Sequence, residues 1–174
     1  MKRTVWLWEL VGFGATALCG TLLHFLYEWL GEATWIAPFS GVNESTWEHM
    51  KLLFWPMLIW TLIELPYFKA YPCFLSVKLR STLLGLGLIP TLFYLYNGII
   101  GKSPDWVNIT IFFVSAAAAY TYSTVALSRE KKSCANPRLP LVALILTASL
   151  FVIFTFFAPR LGIFRDPLSG TYGI

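Results

Sequence analysis

The sequence predicts an all-α, polytopic transmembrane helix bundle with about five spans, its N-terminus inside the cell and its C-terminus outside. Hydrophobic residues make up 57% of the 174-residue chain and charged residues only 13%. A soluble core could not enclose so much apolar surface, so lipid must solvate most of it. The apolar residues gather in five segments, each long enough to cross a hydrocarbon layer about 30 Å thick.

We interpret the whole chain, residues 1–174, as a single transmembrane domain, because no internal repeat or separate soluble segment interrupts the apolar runs. The predicted spans cover residues 5–29, 47–68, 80–100, 105–127 and 139–158. Turn residues or charges occupy the connections between them. The tail after the fifth span is too polar and Gly-rich to cross, and we expect it to fold over the ends of the helices.

The first span is predicted to be retained and to pack closely against a neighbour. Its basic N-terminus resembles a signal peptide, but Glu9 interrupts the apolar run and the hydrophobicity continues to Trp29. Gly12, Thr16 and Gly20 recur at every fourth residue and form a stripe of small side chains. Such a stripe lets a second helix approach the backbone closely.

Local signals mark the starts and interiors of the next spans. The segment from Ser45 to Glu48 is a capping box, in which the serine caps the second helix and the glutamate closes back on it. Pro56 and Pro90 lie inside the second and third spans, where a missing backbone donor bends a helix. Ser103, followed by Pro and Asp, is typical of a cap for the fourth helix.

The distribution of Lys and Arg predicts the orientation. In a five-span arrangement one side carries Lys2, Arg3, Lys69, Lys78, Arg80, Arg129, Lys131, Lys132 and Arg138. The other side carries Lys51, Lys102, Arg160 and Arg165. The positive-inside rule therefore places the N-terminus in the cytoplasm and the C-terminus outside. Because the basic residues lie in short segments and form no single face, we do not expect nucleic acid as a partner.

The three cysteines suggest no redox or metal chemistry. Cys19, Cys73 and Cys134 are far apart in the sequence and match neither a disulfide framework nor a thiolate metal motif. We therefore expect all three to contribute packing alone.

Ionisable side chains within or beside spans are costly, so each is a candidate functional residue. One set lies where the first span ends and the second begins. There we predict His24, Glu28, Glu44 and His49 as ligands of a divalent metal ion such as zinc, with Glu48 and Ser45 as catalytic residues. Two imidazoles and a carboxylate are the ligands of hydrolytic zinc sites that keep a position open for water, and Glu48 would act as the general base.

A structural interpretation of the same residues stays open. Helix capping explains Ser45 and Glu48 without catalysis. His24 and His49 can each pair with a carboxylate inside the bundle, which requires no metal ion.

A second set of polar residues within the spans, Glu9 and Glu64, lies toward the opposite ends of the first two helices. Glu64 is expected to form an interfacial ion pair with Lys69 or Arg80. Glu9 lies among apolar and aromatic residues, so we expect a protonated or proton-carrying carboxyl there.

The segment from Gly41 to Lys51, with its Asn-Glu-Ser-x-Trp-Glu-His-x-Lys motif, resembles a family of small bacterial and archaeal integral membrane proteins of unknown function. His24, Glu28 and the Phe-Arg-Asp-Pro and Gly-Thr-Tyr-Gly segments of the tail extend the resemblance over nearly the whole chain. The resemblance implies the prokaryotic plasma membrane as the location and brings no known activity.

The pair formed by Ser45 and His49, four residues apart on one helix, also resembles a pair in membrane hydrolases of the alkaline ceramidase and adiponectin-receptor type. That resemblance implies zinc-dependent hydrolysis. Those proteins have seven spans and a late pair of zinc-binding histidines, whereas this chain has no histidine after position 49. Carboxylates would have to take the place of the missing ligands.

The sequence therefore predicts a metal-dependent hydrolase of a lipid or another membrane-dissolved substrate. Acidic groups at both ends of the first two helices, together with Pro56 and Pro90, also suit a small proton- or ion-coupled transporter or channel subunit. A bundle this small could instead be a non-catalytic partner in a homo-oligomer or a larger membrane complex. Membrane lipid is an expected partner under each of these interpretations.

Overall fold

Five helices account for most of the described chain. The computed structural model describes residues 2–129, 134 and 138–174. Within them the elements are α1 (Lys2–Trp29), α2 (Thr46–Glu64), α3 (Phe74–Ile99), α4 (Asp105–Ser128), α5 (Arg138–Phe156) and a 3-10 turn at Gly162–Phe164. The predicted all-α helical bundle is confirmed. The largest difference in bounds is at α3, which begins at Phe74 rather than at residue 80.

In the described residues four helices are long and apolar enough to cross a membrane, namely α1, α3, α4 and α5. α2 lies outside this group because Glu48, Lys51 and Glu64 lower its hydropathy. It contacts all four of the other helices, and these three charged side chains are buried. Protein rather than lipid therefore surrounds the polar groups of α2. The chain is an integral membrane protein by the composition of its helices, and a fifth crossing by α2 stays a prediction.

The predicted stripe of small residues on α1 is where α2 and α4 pack against it. Trp60 of α2 occupies the space that a side chain at Gly12 would need. A Cβ atom at Gly20 would lie 2.6 Å from the ring of Phe112 in α4. Thr16, between the two glycines, is fully buried. The close approach expected from this spacing is confirmed.

Ser45 caps α2, as predicted, but the capping box closes differently. The Ser45 Oγ accepts a hydrogen bond from the Glu48 backbone N–H at 3.4 Å. The Glu48 carboxylate accepts from the Val42 N–H at 3.0 Å, and the Ser45 N–H donates to Asn43 Oδ1 at 2.9 Å. The segment before α2 is thus fixed by three side chains instead of two.

A disulfide joins Cys73, just before α3, to Cys134, in the connection that precedes α5. The prediction that these two cysteines contribute packing alone is wrong. They are 61 residues apart, and their spacing in the sequence does not reveal that α3 and α5 meet. Cys19 is a free, exposed cysteine on α1.

The two ends of the bundle are closed in different ways. We call the end that holds the start of α1 and the α2–α3 connection the basic end, and the opposite end the histidine end. An apolar cluster closes the basic end, formed by Val5, Phe68, Phe74, Val77 and Leu127. At the histidine end the tail packs Phe164 against Trp47, with ring centroids 4.7 Å apart. The Asn43 side-chain amide donates to the Gly173 carbonyl at 3.0 Å, so the tail covers these helix ends as its polarity predicts.

Candidate functional site

Three of the predicted ligands meet at the histidine end. His24 lies near the end of α1, Glu44 in the α1–α2 connection, and His49 in the first turn of α2. The His24 Nε2 is 3.6 Å from Glu44 Oε1, and the His49 Nε2 is 3.5 Å from Glu44 Oε2. The two imidazole rings are 5.7 Å apart between centroids. The structure therefore brings His24, Glu44 and His49 together, while their role as metal ligands stays a prediction.

Backbone contacts orient this histidine cluster, by which we mean His24, Glu44 and His49. The His49 Nδ1 is 3.0 Å from the Ser45 carbonyl oxygen. A carbonyl only accepts hydrogen bonds, so we infer that Nδ1 carries the proton and that Nε2 faces Glu44. Ser40 holds the connection against α1, since its hydroxyl donates to the Leu23 carbonyl and accepts from the Tyr27 N–H. This tether lies beside His24 and fixes where the connection turns back.

The histidine cluster borders a cavity of about 570 Å³ between α1, α4 and the tail. Phe25, Leu52 and Phe112 are among its apolar lining residues. Lys102 and Asp105 supply charged groups to the same cavity. A volume of this size lies in the range of small-molecule sites, and its lining combines apolar and aromatic side chains with polar ones from the histidine cluster and from the α3–α4 wall.

Hydrogen bonds order the wall of the cavity that α3 and α4 provide. The Ser103 hydroxyl donates to Asn108 Oδ1 at 2.8 Å, and the Ser103 N–H donates to Asn97 Oδ1 at 2.9 Å. Ser103 therefore makes no cap on α4, where Pro104 takes the N-cap position, and the predicted cap is wrong. A second, smaller cavity of about 20 Å³ lies between Asn108 and the Glu44 and His49 side chains, and it has room for one water molecule.

Glu28 does not join the other predicted ligands. Its side chain is exposed, and within the described part of the chain it has no hydrogen bond or ion pair. The connection that carries Glu44 is tethered to α1 at Leu23 and Tyr27. Glu28 lies beyond that tether, so its side chain points past the cluster although it shares a helix face with His24.

The predicted general base, Glu48, is sealed inside the protein. Its carboxylate is 2% exposed, and Oε2 lies 2.5 Å from the Lys51 ammonium group. Lys51 also donates to the Ala37 carbonyl at 2.8 Å and to the Thr155 hydroxyl at 2.9 Å. Glu48 and Ser45 are both buried and engaged in structural contacts, so their positions do not support the catalytic roles expected for them. The spacing of Glu48 and Lys51, three residues apart on one helix, is the signal by which this pair could have been found.

Glu9 and Glu64, at the basic end, share one lysine. The Lys78 ammonium lies 2.6 Å from Glu9 Oε1 and 2.5 Å from Glu64 Oε2. All three side chains are no more than 2% exposed. The expected pairing of Glu64 with Lys69 or Arg80 is wrong, since both of those side chains are exposed. No pattern in the sequence indicates this role for Lys78, because the residue lies on a third helix and is interpreted as one of the charges of the basic end.

No complete metal site is arranged among residues 2–129, 134 and 138–174. Groups of three or more His, Cys, Asp and Glu side chains that could hold a metal ion are not found there. The histidine cluster is the place where two imidazoles and a carboxylate come nearest to one another.

Apolar helices of membrane-spanning length, with ionisable groups buried at both ends of the bundle, define a polytopic helical membrane protein. The chain belongs to a family of unknown function (DUF6512), whose model matches residues 2–174. That family description assigns no activity. No curated protein and no solved structure matches the chain, so the likeness to ceramidase-type hydrolases stays a prediction.

Proposed function

We propose that the protein is a membrane hydrolase that binds a divalent metal ion through His24, Glu44 and His49 and cleaves an amphipathic substrate in the adjoining cavity. One observation carries the proposal. Two imidazole Nε2 atoms, from two different helices, face the two oxygens of one carboxylate beside a largely apolar cavity.

The ligand chemistry favours a cation between these groups. With its proton on Nδ1, the neutral His49 ring directs an Nε2 lone pair at Glu44, and two acceptors face each other 3.5 Å apart. Donors that bind a tetrahedral zinc ion at about 2.0 to 2.2 Å lie about 3.4 Å from one another. The separations at Glu44, 3.5 and 3.6 Å, are close to that value. A backbone carbonyl on the other ring nitrogen is the usual support for a metal-binding histidine.

Two imidazoles and one carboxylate leave a fourth position for water, which a divalent metal ion converts into a nucleophile near neutral pH. Glu48 is not available as the base. Asp105 is the exposed carboxylate that lines the same cavity, and we assign it the role of accepting the proton. Lys102, also in the cavity wall, supplies a positive charge for an anionic head group.

The cavity lining supports a substrate with a polar head and an apolar body. Phe25, Ile109 and Phe113 line the cavity and are also exposed on the surface of apolar helices. A lipid-like molecule could therefore enter from the hydrocarbon layer and place its polar group at the histidine cluster. This arrangement suits an ester, amide or phosphoester near the head of a lipid.

Metal content of the protein purified without chelators tests the first half of the proposal. Wild-type protein should carry about one zinc ion per chain, whereas His24→Ala, His49→Ala and Glu44→Gln should reduce the metal to background. Glu28→Gln is the matched control, since it removes an exposed carboxylate one turn from His24 and should leave the metal unchanged. Wild-type protein that carries no metal and gains no thermal stability from added zinc would contradict the proposal.

Hydrolysis of lipid esters, amides and phosphoesters in mixed micelles tests the second half. The zinc-loaded wild type should release product, and Asp105→Asn should reduce turnover while retaining the metal. Ion flux into proteoliposomes without hydrolysis would favour the transporter interpretation instead.

A further inference from the structure

We propose that Glu9, Glu64 and Lys78 form a proton-binding site at the basic end, in which two carboxylates share one ammonium group and one proton. The site is distinct from the histidine cluster and uses residues of α1, α2 and α3. Both carboxylates contact the same Lys78 Nζ, at 2.6 and 2.5 Å.

The charges of this buried triad do not balance. Two ionised carboxylates and one ammonium leave a net charge of minus one among side chains that are at most 2% exposed. An uncompensated charge in such surroundings is strongly disfavoured. A carboxyl group avoids that state by binding a proton.

The groups packed around the triad offer no second cation among the described residues. From α4, the Ser123 hydroxyl donates to Glu9 Oε1 at 2.9 Å, and the ring of Tyr120 lies 5.7 Å from Lys78 Nζ. Tyr71 and Tyr122 pack in the neighbouring apolar cluster. All of these groups are neutral at neutral pH.

The remaining cations of the basic end whose side chains the structure describes lie at the surface. The exposed cations are Arg3, Lys69, Arg80 and Arg129. Arg138, the one charged residue in α5, is also exposed and has an interaction of its own. Compensation by a protein cation is therefore limited to Lys78 within the described chain.

Each carboxylate has an oxygen with room for the proton. Glu9 Oε2 and Glu64 Oε1 are both buried and accept no hydrogen bond of normal geometry from the described residues, and the neutral indole of Trp60 faces the Glu64 carboxylate. Their other oxygens are the ones that contact Lys78. A proton on either of these oxygens removes the surplus negative charge and leaves both contacts with Lys78 in place.

Folding is then linked to proton binding. At neutral pH an exposed glutamate in the unfolded chain is ionised, whereas the folded triad retains one proton. When the native state holds more protons than the unfolded state, the free energy of unfolding falls as pH rises. Replacing either glutamate with glutamine leaves one carboxylate and one ammonium, which removes that proton and its pH dependence.

Infrared spectroscopy of the wild-type protein with isotope-labelled glutamate gives the direct test. At neutral pH the spectrum should contain the carbonyl band of a protonated glutamic acid, with the intensity of about one group per chain, and Glu64→Gln and Glu9→Gln should each abolish it. Glu28→Gln is the matched control, because it removes an exposed carboxylate at the other end of the bundle, so the band should persist. A wild-type spectrum without the band, or a band that persists in both triad variants, would overturn the proposal.

Thermal unfolding in detergent supplies the second readout. Between about pH 5 and pH 8 the wild-type midpoint should fall more steeply with rising pH than the midpoint of Glu64→Gln, in which the triad no longer holds the extra proton. A wild-type midpoint that responds to sodium concentration and not to pH would assign the site to a metal cation, and the proton proposal would be wrong.

Discussion

The described residues contain two buried clusters of lysine and glutamate, and these differ in their charge balance. Glu48 and Lys51, at the histidine end, form a pair of one carboxylate and one ammonium. Glu9, Glu64 and Lys78, at the basic end, form a triad with a surplus carboxylate. Both clusters are buried, so the difference between them is the ratio of carboxylates to ammonium groups. A one-to-one ratio gives a structural ion pair, whereas a surplus carboxylate requires a further bound species.

The balanced pair is fully engaged by its surroundings. The Lys51 ammonium group forms an ion pair with Glu48 and donates hydrogen bonds to the Ala37 carbonyl and the Thr155 hydroxyl. It therefore joins α2 to the α1–α2 connection and to α5. In the triad, by contrast, Glu9 Oε2 and Glu64 Oε1 stay unpartnered in the described chain. The charged groups of the pair therefore have partners, whereas the triad keeps two carboxylate oxygens without a hydrogen-bond partner.

Breaking the balanced pair should have the largest effect on stability. Glu48→Gln leaves the buried Lys51 charge uncompensated, which should lower the free energy of unfolding by about 3 to 5 kcal/mol. Denaturant unfolding in mixed micelles measures this. The double variant Glu48→Gln with Lys51→Met removes both charges and should recover much of the loss. An equal loss in the double variant would show that the charge imbalance is not the cause.

The glycine stripe between the two clusters should rank next. Gly20→Leu places a large side chain against Phe112, and overpacking of this kind costs about 1 to 3 kcal/mol. Gly12→Leu should behave similarly against Trp60. Gly14→Leu is the matched control on the same helix, since open space surrounds a side chain there. Equal thermal stability of the Gly20→Leu and Gly14→Leu variants would contradict the assigned packing face.

Loss of the α2 cap should lower stability by less and should leave zinc content and turnover unchanged. Ser45→Ala removes the acceptor of the Glu48 N–H and should cost about 1 kcal/mol of stability. If Ser45 only caps the helix, zinc content and turnover should match those of the wild type. Loss of turnover with full stability and full metal content would restore a catalytic role for this serine.

The smallest change in stability should come from the triad, although it is as deeply buried as the pair. Glu64→Gln brings Lys78 and Glu9 into balance, so we expect a change within about 1 kcal/mol at neutral pH. The comparison with Glu48→Gln under the same conditions is decisive. If the two glutamine substitutions destabilise the protein equally, charge balance does not distinguish the clusters.

Short-range signals made the histidine end largely predictable. Consecutive helices that cross a bilayer run in opposite directions, so the end of α1 and the start of α2 lie at one depth although the connection covers residues 30–45. The convergence of His24, Glu44 and His49 follows from that. The position of Glu28 does not, because it depends on where Ser40 tethers the connection to α1.

The basic end was far less predictable. Glu9, Glu64 and Lys78 come from three helices, and their meeting depends on how each helix is rotated about its axis. These helices are apolar on most of their surface, so local hydropathy indicates little about that rotation. For the same reason the sequence does not reveal the disulfide between Cys73 and Cys134, which are 61 residues apart.

Composition and spacing within single helices are enough to predict the helical fold class, the approximate bounds of the helices, the Ser45 cap and the close-packing stripe on α1. The ion pair of Glu48 and Lys51 also lies within one helix, three residues apart. The sharing of Lys78 by Glu9 and Glu64 depends on the tertiary structure, because the three side chains come from three helices. Charges on different helices compensate one another only across interfaces, and these exist only in the folded bundle.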